Sequence, residues 1–272
     1  MPRFREPYVV IGAKGMLGTD LVRLIRESGL SVIPLDVDEI DIRSEGSTLE
    51  VLSELKPGTI MNVAAVTDVD GCESNPSAAF SVNAQGAANV AKAARVCSAF
   101  MIHMSTDYVF DGTKRSPYHE NDPMNPLGIY GKSKAQGEAA VSGLLPDNHC
   151  IVRTQWLFGL NGKNFVEAIL GAAEQRDVLK VVDDQRGTPT YSEDLAEALI
   201  KLAGIRATGV VHVTNSGETT WYDFARQIIE QAGLTRVRVE PIKTEELGRP
   251  APRPAMARRP ARPGRPRRPC RP

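Results

Sequence analysis

Tyr8-Val-Val-Ile-Gly12-Ala-Lys-Gly15-Met-Leu-Gly18 decides the fold. A short apolar run ends in glycine, and Leu17, Leu21, Leu24 and Ile25 then recur at helical spacing through residues 16–27. Strand, glycine turn and helix therefore meet at one junction. Such a junction needs its glycines: the first for a tight turn, the second for a pyrophosphate to approach the backbone, the third for close packing of helix on strand. The unpaired N–H groups and the positive dipole end of the helix then hold the phosphates. Gly12, Lys14, Gly15, Met16, Leu17 and Gly18 are the expected phosphate loop of a dinucleotide site, with GxxGxxG spacing.

Working outward, residues 31–35 read as a second strand, and Asp36 follows it, 18 residues past Gly18. A carboxylate there accepts hydrogen bonds from an adenosine ribose and repels a 2′-phosphate, which favours NADH. Lys14 offers an offsetting charge, so NADPH stays open. Residues 59–63, 99–104 and 150–152 read as further strands. Residues 76–97 read as one long buried helix, and 130–144 as another. Continuous apolar strands separated by helices imply a parallel sheet covered on both faces. The expected fold is α/β, a doubly wound parallel sheet of the Rossmann type with a smaller C-terminal substrate-binding lobe. Beyond Arg153, helical patterning at 165–175, 192–203 and 222–232 alternates with extended runs at 179–182 and 210–213. Residues 1–155 are expected to be mainly the NAD(P)-binding domain. Residues 156–255 are expected to be mainly the substrate lobe, with returns to the sheet, and 256–272 a tail.

Tyr130-Gly-Lys-Ser-Lys134 places a tyrosine and a lysine four apart on a helix, on one face. An ammonium beside a phenol stabilises the phenolate and is expected to lower the Tyr130 pKa from its ordinary value of about 10. Tyr130 can then hand a proton to a carbonyl oxygen as hydride arrives at carbon. Met104-Ser-Thr-Asp-Tyr108 follows a strand at the carboxyl edge of the sheet, where ligands bind. A hydroxyl from Ser105 or Thr106 there can hydrogen-bond the same oxygen.

Composition narrows the classes. No apolar run approaches the roughly 20 residues of a membrane helix, and residues 1–7 lack a signal-peptide core. A cytoplasmic protein without membrane attachment is expected. Cys72, Cys97, Cys150 and Cys270 form no CxxC, and His103, His119, His149 and His212 lack ligand spacing, so no metal site is expected. The net charge of zero conceals an asymmetry: residues 249–272 hold nine arginines, eight prolines and no acid, leaving 24 basic against 33 acidic residues in 1–248. That acidic body argues against nucleic acid as a partner. The tail cannot form a core. From 257 it contains only Ala, Arg, Pro and Gly apart from Cys270, the residue types that GC-rich DNA encodes when read out of frame.

Several motifs together carry a family resemblance. Ser105-Thr-Asp-Tyr-Val-Phe-Asp-Gly112, Tyr130-Gly-Lys-Ser-Lys134, Arg153-Thr-Gln-Trp-Leu-Phe-Gly159 and Asp184-Gln-Arg-Gly-Thr-Pro-Thr190 resemble the dTDP-4-dehydrorhamnose reductase family, from about Val9 to Ala255. The resemblance implies a catalytic triplet of Thr106, Tyr130 and Lys134. It implies that Asp41, Ile42, Ala64, Ala65 and Thr67 line the cofactor together with Tyr130 and Lys134, and that Asp107 and Trp156 contact the sugar. It further implies NADH or NADPH as cofactor, a nucleotide-sugar substrate, reduction of a 4-keto group toward dTDP-L-rhamnose, and a monomer or homodimer. Some members bind magnesium through acidic C-terminal residues; no acid follows Glu246 here, so that metal is not carried over. Two alternatives stay open. One is a sugar-nucleotide epimerase or dehydratase, although dehydratases carry Asp-Glu after the threonine where this chain has Asp107-Tyr108. The other is a regulatory subunit like the beta subunit of methionine adenosyltransferase.

Overall fold

A computed structural model describes residues 5–114 and 116–253. The tail at 256–272, with Cys270, lies outside the described residues. The first half runs β1 (Tyr8–Ile11), α1 (Met16–Glu27), β2 (Val32–Leu35), α2 (Glu45–Leu55), β3 (Thr59–Asn62), α3 (Val69–Ser74), α4 (Pro76–Phe80) and α5 (Ala87–Val96). It continues through β4 (Phe100–Thr106), α6 (Ile129–Leu144) and β5 (His149–Thr154). The second half comprises β6 (Leu157–Phe158), α7 (Phe165–Gln175), β7 (Val178–Val182), β8 (Arg186–Gly187) and β9 (Thr190–Tyr191). After these come α8 (Ser192–Gly204), β10 (Gly209–His212), β11 (Thr219–Thr220), α9 (Trp221–Gln231), β12 (Arg238–Ile242) and α10 (Thr244–Leu247).

The main sheet has the order β10-β5-β4-β3-β1-β2, and every pairing in it is parallel. The chain leaves β1 toward one edge and returns through β3 toward the other, so the order reverses between β1 and β3. Doubly wound sheets bind ligands at that reversal, beyond the carboxyl ends of the strands. Side chains alternate across each strand. Val9 and Ile11 of β1 join Ile60, Met101 and Ile151 under α2, α5 and α6. Tyr8 and Val10 join Met61, Phe100, Ile102 and Val152 under α1 and α8. Both faces are buried, as continuous apolar strands require. A separate apolar cluster forms where α7 and α9 pack on β7 and β12: Ile169, Leu179, Val181, Ala225, Ile228 and Ile229.

The single helix expected over 76–97 is interrupted. Asn75 caps α4 through its side chain, and residues Ser81–Gly86 take a π-helical pitch before α5. The wide turn faces Asn83 inward. Its side chain accepts from Val66 N (2.9 Å) and donates to Val66 O (3.0 Å) and Ser133 Oγ (3.0 Å). These polar bonds compensate for the irregular ladder, a pattern common where helices serve a site. Helix α2 lies outside the elements expected from the sequence; Leu52 is its one fully buried apolar residue, Val51 and Leu55 pack beside it on the same cluster, and Leu49 is exposed.

Helix α6 is fixed to the sheet by a buried ion pair. Arg153 on β5 donates to both oxygens of Glu138 (2.8 and 2.6 Å), and both side chains are within 5% exposure. Removing one partner of such a pair leaves an uncompensated charge, whereas replacing both with apolar groups restores burial. Arg153→Met should therefore cost about 3–5 kcal/mol of unfolding free energy, and Arg153→Met with Glu138→Leu much less. Urea denaturation of both variants measures this; equal losses would show that stranded charge is not what the single variant suffers from.

Candidate active site

The phosphate loop is built by close approach. Gly12 sits at φ +89°, in the left-handed region, and a Cβ there would lie 2.8 Å from Ala64 N. A Cβ on Gly18 would lie 2.1 Å from the Gly12 carbonyl, so only glycine lets α1 settle against β1. Gly15 caps α1 with extended backbone, no side chain bonds its first turn, and no acid occupies that turn. The helix end is thus left with free donors and a favourable dipole for a diphosphate.

A cleft of about 520 Å³ opens at the sheet reversal. Gly12, Lys14, Gly15, Asp36, Asp41, Ile42, Ala64 and Ala65 all line it, so eight of the residues expected at the cofactor meet in one place. Leu17 and Gly18 lie beneath it, packed in the core, and Met16 points across to Gly159 and Gly162. Thr67 is exposed and outside the lining. Asp36 accepts from the Lys14 N–H (2.8 Å) and from Val37 N–H (2.9 Å), so it also holds the phosphate loop. Arg43, which sequence reasoning did not single out, joins the lining and forks onto Asp41 (2.8 and 2.9 Å). That bond holds the Asp41 carboxyl below its ordinary range. The only sequence signal for Arg43 was its place beside Asp41-Ile42. The glycine cradle, uncapped helix end and ribose-side carboxylate fit a nicotinamide dinucleotide.

Thr106, Asp107, Tyr130, Lys134 and Trp156 are not part of that cleft lining. Four of them meet at the carboxyl end of β4. Thr106 ends the strand, donates to Asp107 Oδ1 (3.0 Å) and accepts from Tyr108 N (3.2 Å), capping the short turn Asp107–Val109. Tyr130 lies in the first turn of α6, edge-on to Tyr108 with ring centroids 5.5 Å apart. A Cβ on Gly131 would lie 2.2 Å from the Tyr108 carbonyl, so α6 reaches this turn only because residue 131 is glycine. Asn83 joins Val66 of the cleft wall to Ser133 of α6, tying the two parts of the site together.

Electrostatics depart from expectation at Tyr130. Burial raises its pKa, the Thr106 hydroxyl opposes, and Asp107 and Tyr108 reinforce the rise. Lys134 does share its helix face, but its ammonium donates to the Met104 carbonyl (2.6 Å). Lys134 is itself 2% exposed and is lowered to about 8 by burial, with Glu138 one turn on opposing. Desolvation is the dominant influence on the Tyr130 phenol. The same cause pushes Asp107 up to about 7 and Tyr108 up to about 12. Ser105, the alternative hydroxyl, is buried with no hydrogen-bond partner among the described residues.

Trp156 lies apart from the triplet. Its backbone takes φ +49°, its indole stacks on Trp221 with centroids 3.6 Å apart, and it packs against Gly187. It remains half-exposed, at the head of an aromatic group that includes Phe165 and Phe224.

The family model described as the RmlD substrate binding domain matches residues 7–259. A dTDP-4-keto-6-deoxy-D-glucose reductase of Streptomyces niveus is 42% identical over 242 residues, 89% of this chain and 84% of that protein. A dTDP-4-dehydrorhamnose reductase of Clostridium acetobutylicum superposes with a TM-score of 0.88 at 41% identity, covering 91% of this chain and 88% of that one. One from Bacillus anthracis, in complex with NADP, superposes with a TM-score of 0.88 at 38% identity over the same shares. With its phosphate loop, its β4 hydroxyl and its Tyr-Lys helix in these places, the chain belongs to the RmlD-type dTDP-4-dehydrorhamnose reductase family.

Proposed function

We propose that this chain reduces the 4-keto group of dTDP-4-dehydro-L-rhamnose to dTDP-L-rhamnose with NADH or NADPH, supplying a precursor of cell-surface polysaccharide. The observation that carries the reading is the meeting of Thr106, Tyr130 and Lys134 at the end of β4, joined through Asn83 to the dinucleotide cleft. A reduced nicotinamide dinucleotide, its phosphate end held in that cleft by Gly12 and Gly15, would supply the hydride that the carbonyl carbon accepts. Tyr130 Oη gives its proton to the carbonyl oxygen, and burial keeps the phenol protonated until then. The Thr106 hydroxyl orients the same oxygen. The Lys134 ammonium stabilises the phenolate that proton transfer leaves. Gly12, Gly15 and the first turn of α1 hold the diphosphate. Asp107 and Trp156 receive the sugar. Dehydration is disfavoured, because Tyr108 stands where a carboxylate base would be needed and its phenol is pushed up to about 12. The Streptomyces niveus relative points to a second substrate of the same chemistry, a dTDP-4-keto-6-deoxyglucose. Loss of NADH or NADPH absorbance with each sugar nucleotide in turn tests the reaction and separates the two substrates. No helix among the described residues is long and apolar enough to cross a membrane.

Tyr130→Phe should lower kcat by roughly 10²–10⁴, the worth of a positioned general acid, with cofactor binding almost unchanged. Turnover close to that of the unaltered protein would remove Tyr130 from the reaction.

The pH dependence has a definite sign. Reduction needs Tyr130 as phenol and Lys134 as ammonium, and both forms are lost as pH rises. Lys134, lowered to about 8, loses its proton first, so kcat should fall as pH passes about 8. A profile flat from pH 6 to about 9.5 would show that no such charge is required.

Asp36→Ala should raise the NADPH-to-NADH ratio of kcat/KM by roughly tenfold, by removing repulsion with a 2′-phosphate. Because Asp36 also holds Lys14 N, both absolute values should fall. An unchanged ratio would mean that the carboxylate does not face the ribose.

A further inference from the structure

The last described residues, 249–253, lie across α3 beside the active site. One carboxylate gathers them. Asp70 accepts from Arg253 Nη1 (3.0 Å) and Nη2 (2.9 Å), from Ala251 N (3.2 Å) and from Arg249 Nη1 (3.1 Å). Arg253 Nη1 also donates to Ala251 O (3.0 Å), which closes the segment on itself. Ala251 is 4% exposed and the Arg253 side chain 16%, so this is a docked segment rather than a loose surface pair. Three residues along α3, the Glu73 carboxylate accepts from Ile129 N (2.7 Å), at the start of α6. Pro252 packs over Gly128, the cap of that same helix: a Cβ on Gly128 would lie 3.4 Å from the proline ring. The Arg253 guanidinium also interacts with the Tyr108 hydroxyl. Tyr108 in turn stands edge-on to Tyr130.

We propose that Arg253 is a positioning residue for catalysis: clamped by Asp70, it braces Tyr108, and Tyr108 fixes the ring of Tyr130. Arginine suits the task because its planar fork grips both carboxylate oxygens and still presents an edge to the phenol, which a lysine cannot do. Asp70 and Glu73 lie on one side of a single short helix. The C-terminal segment and the start of the catalytic helix are therefore held to the same support. The proposal rests on Tyr130 acting as the proton donor.

Two measurements test it. In the first, Arg253→Ala should reduce kcat by roughly 10- to 100-fold, since a misplaced catalytic group costs about that much, while NADPH Kd and sugar-nucleotide KM stay within about twofold. Arg253→Lys, which keeps the charge and loses the fork, should fall between. Added guanidinium ion should restore part of the Arg253→Ala rate. An unchanged kcat overturns the proposal. So does a loss of NADPH binding that matches the loss of rate, which would make the segment a general support of the fold. The second measurement needs no turnover. With ¹³C at Cζ of the six tyrosines, Arg253→Lys and Asp70→Asn should move the Tyr108 and Tyr130 resonances and leave the other four in place. Tyr108→Phe and Tyr130→Phe assign the two signals. A Tyr130 resonance that stays still overturns the proposal, even if the unaltered protein reduces neither sugar nucleotide and the functional reading itself fails.

Discussion

The contact between the first turn of α6 and the short turn after β4 is the constraint on which the site depends. It is set by sterics before it is set by chemistry. With any side chain at residue 131 the helix would strike the Tyr108 carbonyl, and Tyr130 would stand off from Thr106. Once α6 is seated, its face is fixed for three turns. Tyr130 meets the end of β4, Lys134 reaches the Met104 carbonyl, and Glu138 pairs with Arg153 on β5. The i, i+4, i+8 spacing thus reads as proton donor, charge and anchor in order along one stripe.

Packing that stripe against the sheet has an electrostatic consequence. Burial disfavours whichever form is charged, so it raises Asp107 and Tyr130 and lowers Lys134. Three groups of different type are pushed toward neutrality by one cause. For the tyrosine of a reductase this direction is useful; for the lysine it is not. The phenol must hold its proton until an oxyanion develops, and a tyrosine already ionised would have none to give. Glu138 limits the effect on Lys134, since its carboxylate favours the ammonium from one turn away. A sequence argument from a Tyr-Lys pair alone has the lysine lowering the tyrosine. In the folded chain desolvation is the largest influence on the phenol.

What the sequence made legible was what local spacing encodes. The glycine junction after β1, the alternation of strand and helix, and the Thr106, Tyr130 and Lys134 positions are each written within a few consecutive residues. Helix α2 was harder to read, because its apolar stripe is short, Val51, Leu52 and Leu55, and the exposed Leu49 blurs it. The π-helical turn at Ser81–Gly86 was not legible. It answers to Val66 and Ser133, which are distant in sequence, and Asn83 alone gives no hint of them. Arg43 and Arg253 escaped for a similar reason: an arginine among many shows nothing until the fold supplies its carboxylate.

The C-terminal segment brings these threads together. The family match extends to residue 259, past Arg253, and takes in the start of the Arg/Pro-rich stretch. The ion pair to Asp70 spans 183 positions of sequence, so it joins segments far apart along the chain. Elements that order Tyr130 from the sheet side, namely Thr106, Gly131 and Asn83, lie well before Arg253 in the chain. The final brace on Tyr108 comes last along the chain and closes the side of the site that the sheet cannot reach. Loss of residues 252 and 253 would remove both the guanidinium on Asp70 and the proline packed on Gly128.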